Sequence, residues 1–567
     1  MVRDVAASIV FALRLSSGWF AVDQMVHNGG PAVNRELGPW PRPVAFSPGT
    51  RTCRCYSSGP MQSESTFIPL DRVLALLGAD LLAVLTDIHR VLPHELYLAG
   101  GTVRDLLLGR DPADIDLAVP HQARRWARRL ADETGGAYVA LGREEDAARV
   151  VWRGEEIDFS AYREGAATIR QELTKRDITV NSLAVRIDGL LAGRREQWPA
   201  ALEVIDPAGG LRDLEERLIR TTSRHSLVAD PLRLLRIFRF AAVLDFEIDP
   251  GTLEQAGRRR QLIGRVAAER ISHELDLVMA SPRAHQAFAA MAAIGLLWEI
   301  IPELKAGVGM AQPASHHLDV FAHCLETLAQ MEKIQQEPGR CFPGHGEIFR
   351  SYLDRDRNRV RLKWAALLHD AGKPVTYGIN EDKGGRITFY NHDLKGADIL
   401  ADLAARLRWS REDTRVVAGL VAAHMRPFFL ANVERKGELS LKACLRLIRT
   451  MGNDLPGLFL LAMADSLAGK GEGRPEEMER EVAALFARLE EVRRQNVVPV
   501  RQAPPLITGR DLIEELHLEP GPIFRHILAR VEEAQMEKTI SSRDQALALA
   551  AACARQAQEK RCDHPRD

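Results

Sequence analysis

Three aspartates are the first residues of this 567-residue chain whose types and spacing could do chemistry. Asp114 and Asp116 stand two apart in ADIDLAVP, and Asp158 sits in EEIDFSAYR. At strand spacing alternate side chains share a face, so the first two carboxylates point the same way. Two hard oxygen ligands held side by side suit Mg2+, which takes few carboxylates and completes its shell with phosphate oxygens. A two-metal arrangement there would activate an attacking hydroxyl and stabilise a leaving pyrophosphate. Upstream, Gly100 and Gly101 fall where a strand turns into a helix. Without a Cβ, such residues let backbone N–H groups approach a phosphate, and the helix N-terminus adds positive potential. A glycine pair or an Asp-x-Asp alone is common in solvated loops. The ordered set of glycines and three carboxylates is what points to phosphoryl chemistry.

A second constellation lies further along. His323 occurs in HLDVFAHCLETL, His369 and Asp370 are adjacent in WAALLHDAGKP, His392 lies in FYNHDLKGA, His424 in VAAHMRP, and Asp465 in LLAMADS. Adjacent His and Asp at a helix end can bind one metal together, with His323 and Asp465 closing its sphere. A lone helical histidine is usually a satisfied core or surface residue, but six such positions in this order resemble the HD metal-dependent phosphohydrolases. That resemblance implies a divalent transition metal or Mg2+ at the HD site, with His392 and His424 holding a second ion. It also implies hydrolysis of phosphoesters, such as a 2′,3′-cyclic phosphate or a 2′-phosphate on an RNA end, with Lys373 contacting the phosphate.

The elements that must position these residues can be read coarsely. LYLAGGTVRDLLLG reads as strand, glycine turn and helix start; IDLAVP and RVVWRGEEIDFSAYR carry strand-like runs, with the helix RRWARRLADET between them. This β-α-β pattern is expected to end near residue 190. Beyond Asp206 strand signal almost vanishes, and residues 212–280 and 300–480 show helical i, i+3, i+4 spacing. Asp230 and Arg233, three apart, are expected on one helix face. VVPVRQAPPLITG reads as a linker before a last helical segment, 511–552.

Bulk properties narrow the class. The length calls for several cores rather than one. No uninterrupted apolar run reaches the roughly 18 to 20 residues of a membrane helix, so no membrane partner is expected. A net charge of −1 leaves no global footprint for nucleic acid, so an RNA surface must be local. Residues 211–270 hold 12 Arg and no Lys against 9 Asp and Glu, a modest local excess of positive charge. Seven scattered cysteines, with only Cys53 and Cys55 close together, read as thiols of a reducing cytoplasm. Residues 1–65, rich in Gly, Pro, Ser and Arg, read as a disordered extension or a mis-called start, with Met61 as the true one.

The run AGGTVRDLLLGRDPADIDLAV resembles the head domain of class II tRNA nucleotidyltransferases and bacterial poly(A) polymerases, of the polymerase-β superfamily. The resemblance continues in order through KRDITVNSLAV, DPAGGLRDLEERLIR, ADPLRLLRIFRFAA and ERISHEL, departing mildly at Ile178 and Ser182, where the family more often has Phe and Ala. It implies a multidomain α+β fold: a small mixed-sheet head (66–205), then an all-α neck (206–285), an HD body (286–490), and a linker and tail (491–567). It implies Asp114, Asp116 and Asp158 as catalytic, Mg2+ on Asp114 and Asp116, and nucleotide binding by Gly100 and Gly101. Arg104 and Arg176 resemble triphosphate ligands, and Asp177 with Asn181 the ribose-side support. Asp230 and Arg233, with Arg236 nearby, resemble the family's base selectors. A carboxylate accepting from an exocyclic amine and an Arg fork donating to a ring nitrogen accept C and A and reject G and U. The implied activity is CCA addition to the tRNA 3′ end from CTP and ATP. The alternatives are CC-only, A-only or poly(A) addition, and an HD phosphohydrolase with an RNA-binding head. The basic G-R-R-F-like run of poly(A) polymerases is replaced here by VALGREEDAARVV, which favours tRNA. Oligomeric state stays open.

Overall fold

The computed structural model describes residues 66–562 apart from 143, 144, 164 and 356; residues 1–65, with the expected extension and Met61, lie outside the described residues. The head is built on eight strands: β1 (Phe67–Pro69), β2 (Tyr97–Ala99), β3 (Ile115–Val119), β4 (Ala137–Ala140), β5 (Ala147–Trp152), β6 (Glu155–Ala161), β7 (Ala184–Arg186) and β8 (Ala201–Ile205). They form one sheet in the order β1-β8-β7-β2-β3-β6-β5-β4. The β-α-β pattern therefore runs past residue 190, because β8 closes back on β7 and β1. Only β3 and β6 pair in parallel, and their register sets Asp116 opposite Asp158. The helix Ala123–Thr134 buries Trp126 and Leu130 on one sheet face, Trp126 stacking on Phe159.

Helices dominate after the head, as expected, with two exceptions. Leu218–Ile219 pairs with Glu247–Ile248, and Tyr377–Asn380 pairs with Arg386–Phe389 as an antiparallel hairpin over the histidine site. The neck helices Arg233–Leu244 and Ala268–Ala280 are tied by Glu274, whose carboxylate lies 3.4 Å from Arg236 Nη1 and 3.1 Å from Arg239 Nε. The neck reaches the body through Asn358–Leu368: Trp364 Nε1 donates to Asp276 Oδ1 at 2.8 Å and Lys363 Nζ to the Ser281 carbonyl at 2.5 Å.

At the core of the body, Leu455–Ala468 is buried nearly all round, as a composition apolar but for Asp465 and Ser466 requires. The stretch Arg411–Arg435 is long and apolar enough on average to cross a membrane, but Arg426 interrupts it, so it holds no uninterrupted apolar run of that length, as expected. Its Val416, Val417, Leu420 and Val421 are buried in the body, and the stretch divides into the helices Arg411–Ala423 and Arg426–Arg435. The predicted linker is also partly helical, through Arg493–Val497 and Val498–Gln502, leaving a short connection to a last three-helix unit. That unit has its own core, including Leu512, Ile527, Val531 and Ala550.

Candidate active site

The head carboxylates are brought together by strand register. Oxygens of Asp114, Asp116 and Asp158 all lie within 4.8 Å of one another. Thr102 locks the turn beneath them: its Oγ1 donates to the Asp114 carbonyl at 3.1 Å and accepts from the Asp116 N–H at 2.7 Å. Burial first, and then the Asp114 charge, pushes the Asp116 carboxyl up to about 6. Asp114 is raised by the same causes, burial and then Asp158. Three acidic groups this close, two held above their ordinary range, fit a divalent cation that would offset their repulsion.

Gly100 has φ of +68°, and a Cβ there would stand 2.5 Å from Arg176 Nη1 and 2.9 Å from Asp116 Oδ2. Only glycine fits. The turn does point an N–H into the site, but Gly101 N donates to Asp116 Oδ2 at 3.2 Å. Arg176 lies half-buried beside it, its Nε without a hydrogen bond but 3.7 Å from Glu172 Oε1, and desolvation lowers its proton affinity. Arg104 donates to Asn181 Oδ1 at 2.5 Å and grips Asp105 with Nε and Nη2.

Asp177 pairs with Arg236 at 2.6 Å. Burial alone would raise the Asp177 carboxyl, but the Arg236 charge and hydrogen bond outweigh it and hold the group well below the ordinary carboxylate range. Such a group adds stability above its unfolded pKa near 4 and loses it as pH falls toward the folded value. Asp177→Ala is expected to cost about 3 kcal/mol at pH 7. In urea denaturation, the gap to the parent should narrow below about pH 4.

Asp230 and Arg233 do not share a helix. Asp230 is extended (φ −140°, ψ 102°) after Ser226–Ala229, and Arg233 opens the next helix. Pro231 is the cause, since its ring disfavours the α conformation in the residue before it. Arg270 Nη2 lies 3.2 Å from Asp230 Oδ2, while Arg233 donates to Ser226 Oγ at 2.8 Å and the Lys175 carbonyl at 2.9 Å.

The body gathers all six predicted residues. His323 Nε2 is 3.0 Å from Asp465 Oδ1 and 3.6 Å from Asp370 Oδ2. His369 Nε2 is 3.1 Å from Asp370 Oδ2, and His392 Nε2 is 3.1 Å from His424 Nε2 and 3.4 Å from Asp370 Oδ1. His369, His392 and His424 each set Nδ1 against a carbonyl one turn back, of Ala366, Phe389 and Val421, at 3.0, 2.8 and 2.7 Å. This assigns the proton to Nδ1 and turns the Nε2 lone pairs inward. Despite its distance to Asp370, His369 Nε2 has no aligned hydrogen-bond partner. Lone pairs facing carboxylate oxygens need a cation between them, and the donor set fits one or two divalent ions. Burial, then the neighbouring His369 and His392, lowers His424 to about 4, keeping it neutral at physiological pH. Gly372 allows the close packing: a Cβ would meet the His392 carbonyl at 2.1 Å. Asp370, His392, His424 and Asp465 line a cavity of about 650 Å³ that is also lined by Lys373, Arg386, Arg426 and Arg474.

Two residues of these sites escaped the sequence reading. Arg149 forks Asp158, Nε to Oδ1 at 2.7 Å and Nη2 to Oδ2 at 2.8 Å, and also bonds Glu156. His316 lines the body cavity with its ring 4.6 Å from that of His323. Its only signal was the His316-His317 pair upstream of His323.

Four family models match: the poly A polymerase head domain (96–220), the probable RNA and SrmB-binding site of polymerase A (245–307), the HD domain (320–469) and a putative tRNA nucleotidyltransferase domain 2 (479–551). The A-adding tRNA nucleotidyltransferase of Deinococcus radiodurans is 34% identical over 78% of this chain and 92% of its own length. The CC-adding tRNA nucleotidyltransferase of Thermus thermophilus is 31% identical over 81% and 93%. Among solved structures, an apo CCA-adding enzyme (TM-score 0.56, 18% identity, 86% of this chain and 97% of that one) shares the fold. So does the Thermotoga maritima CCA-adding enzyme complexed with tRNA (0.53, 18%, 86% and 98%). Matched across head, neck and body, the chain belongs to the class II tRNA nucleotidyltransferase family and carries an HD domain.

Proposed function

We propose that this enzyme adds CCA to the tRNA 3′ end, taking CTP twice and then ATP. The observation that carries this reading is the cluster of Asp114, Asp116 and Asp158 beneath the Gly100–Gly101 turn. The RNA 3′-hydroxyl attacks the α-phosphorus, a P–O bond forms, and pyrophosphate leaves. Bound on Asp114 and Asp116, Mg2+ would neutralise the triphosphate and acidify the hydroxyl. Asp158 orients that hydroxyl and accepts its proton. Arg104 and Arg176 hold the triphosphate, Asp177 and Asn181 support the ribose side, and Asp230 and Arg233 with Arg236 select the base. Positioning and charge neutralisation supply the rate, since phosphoryl-type transfer asks little else of a protein.

The test uses tRNA transcripts ending before CCA, after C and after CC, each with CTP and ATP. Complete CCA ends on all three are the expected products. Extension of only the CC-ended transcript, by one A, would overturn the full reaction. It would establish the second reading, A-only addition, which the near full-length match to an A-adding relative favours.

At the HD site we propose hydrolysis of phosphoesters such as a 2′,3′-cyclic phosphate or a 2′-phosphate on an RNA end. Divalent ions, Mg2+ or a transition metal, would be held by His323, His369, Asp370 and Asp465 and by His392 and His424. The convergent Nε2 atoms support this, with Lys373 facing the phosphate. Divisions near 205, 285 and 490 and a cytoplasmic location complete the reading.

A further inference from the structure

We propose that Arg149 is a positioning residue that divides the work of the three head carboxylates. It fixes Asp158 for the attacking hydroxyl and leaves the divalent cation to Asp114 and Asp116. The inference rests on the carboxylate reading above and adds to it. Antiparallel pairing of β5 with β6 places Arg149 directly opposite Asp158, so the guanidinium meets the carboxylate in plane. That fork uses a lone pair on each Asp158 oxygen and offsets its charge. Glu156, on the same face of β6, takes Nη1, so two carboxylates determine the guanidinium's orientation. Asp116 has no such fork: its oxygen takes the Gly101 N–H. A carboxylate whose charge is already matched is the poorer cation ligand of the three, but its lone pairs are the most fixed in direction. Fixed direction is what orienting an attacking hydroxyl needs, and since the fork does not make the carboxylate a stronger base, its contribution is to position.

The test follows CTP and ATP incorporation, with kcat, nucleotide KM and half-saturating Mg2+ measured for Arg149→Met and Arg149→Lys. Arg149→Met keeps the stem and removes the fork. It is expected to lower kcat about 100-fold with KM little changed. Half-saturating Mg2+ should fall several-fold, because a released Asp158 joins the cation. Arg149→Lys, charged but without a fork, should restore the parental Mg2+ dependence and not the rate. Parental kcat in Arg149→Met would overturn the proposal. So would a parallel loss of kcat and Mg2+ affinity, which is the signature of a scaffold residue. Asp158→Asn separates the two layers. Combining it with Arg149→Met should cost nothing beyond Asp158→Asn alone. If Asp158→Asn itself incorporates nucleotides normally, the catalytic assignment of Asp158 has failed and the division of labour falls with it; an inactive Asp158→Asn beside a fully active Arg149→Met overturns the division alone.

Discussion

Asp116→Asn is expected to slow incorporation of labelled CTP and ATP into tRNA roughly 1,000-fold while raising the melting temperature of the metal-free protein. The two effects have one cause. Asp116 is buried against Asp114, its carboxyl lifted to about 6, so at neutral pH the fold carries an ionised group it disfavours. A raised carboxyl costs stability above its folded value, and that cost is relieved as pH falls through about 6. The amide keeps an oxygen for the Gly101 N–H and removes the repulsion, so it is expected to stabilise. The same change removes a hard, charged oxygen from the cation site. Losing about 4 kcal/mol of transition-state charge stabilisation slows addition roughly 1,000-fold. Incorporation assays at saturating CTP and ATP, and melting with and without Mg2+, check both halves. Loss of activity together with a lower metal-free melting temperature would mean that Asp116 is structural.

Much of this site is written locally in the sequence. Alternation places Asp114 and Asp116 on one face, and the Gly100–Gly101 turn needs only neighbouring residues. Arg149 was not legible in that way. Its role depends on β5 pairing antiparallel with β6 in a register that sets residue 149 opposite 158, and register is a property of two strands together. Asp230 is a different kind of miss. Helical spacing suggested one face with Arg233, but Pro231 follows directly and excludes the helix at Asp230. The signal was present and outweighed by apolar periodicity further on. The hairpin Tyr377–Phe389 was equally readable from YGIN, a Gly384-Gly385 turn and RITF, and was hidden by the helical character of its surroundings. In the body, the order of histidines and aspartates was enough to name the six clustered residues. His316 enters only through folding, as the loop of Gly469, Gly471 and Gly473 closes on it.

Asp370→Asn combined with His369→Ala is expected to eliminate bound metal and phosphoester hydrolysis in the body while leaving nucleotide addition intact. Asp370 belongs to both candidate ligand groups, with His323 and His369 on one side and His392 and His424 on the other. Its loss therefore dismantles both rather than halving the site. Metal content by elemental analysis should fall to background. Hydrolysis of a 2′,3′-cyclic nucleotide should drop by about 1,000-fold or more, as expected when a cation stabilising transition-state charge is removed. The substitution also strips Lys373 of a carboxylate 2.6 Å away, leaving Gln312 as its remaining bonded partner in a buried position. Some loss of stability is therefore expected, and the head reports on it in the same molecule. Incorporation of CTP and ATP at parental rates shows that the chain has folded, so lost hydrolysis then belongs to the ligands. His392→Gln provides the finer division: it should remove about half of the bound metal, because His323, His369, Asp370 and Asp465 remain. Parental hydrolysis in the double variant would place that chemistry outside these six residues. Nucleotide addition lost in parallel, in a variant that still melts as cooperatively as the parent, would mean instead that Asn358–Leu368, which ends beside His369 and sets Trp364 against the neck, couples the two sites.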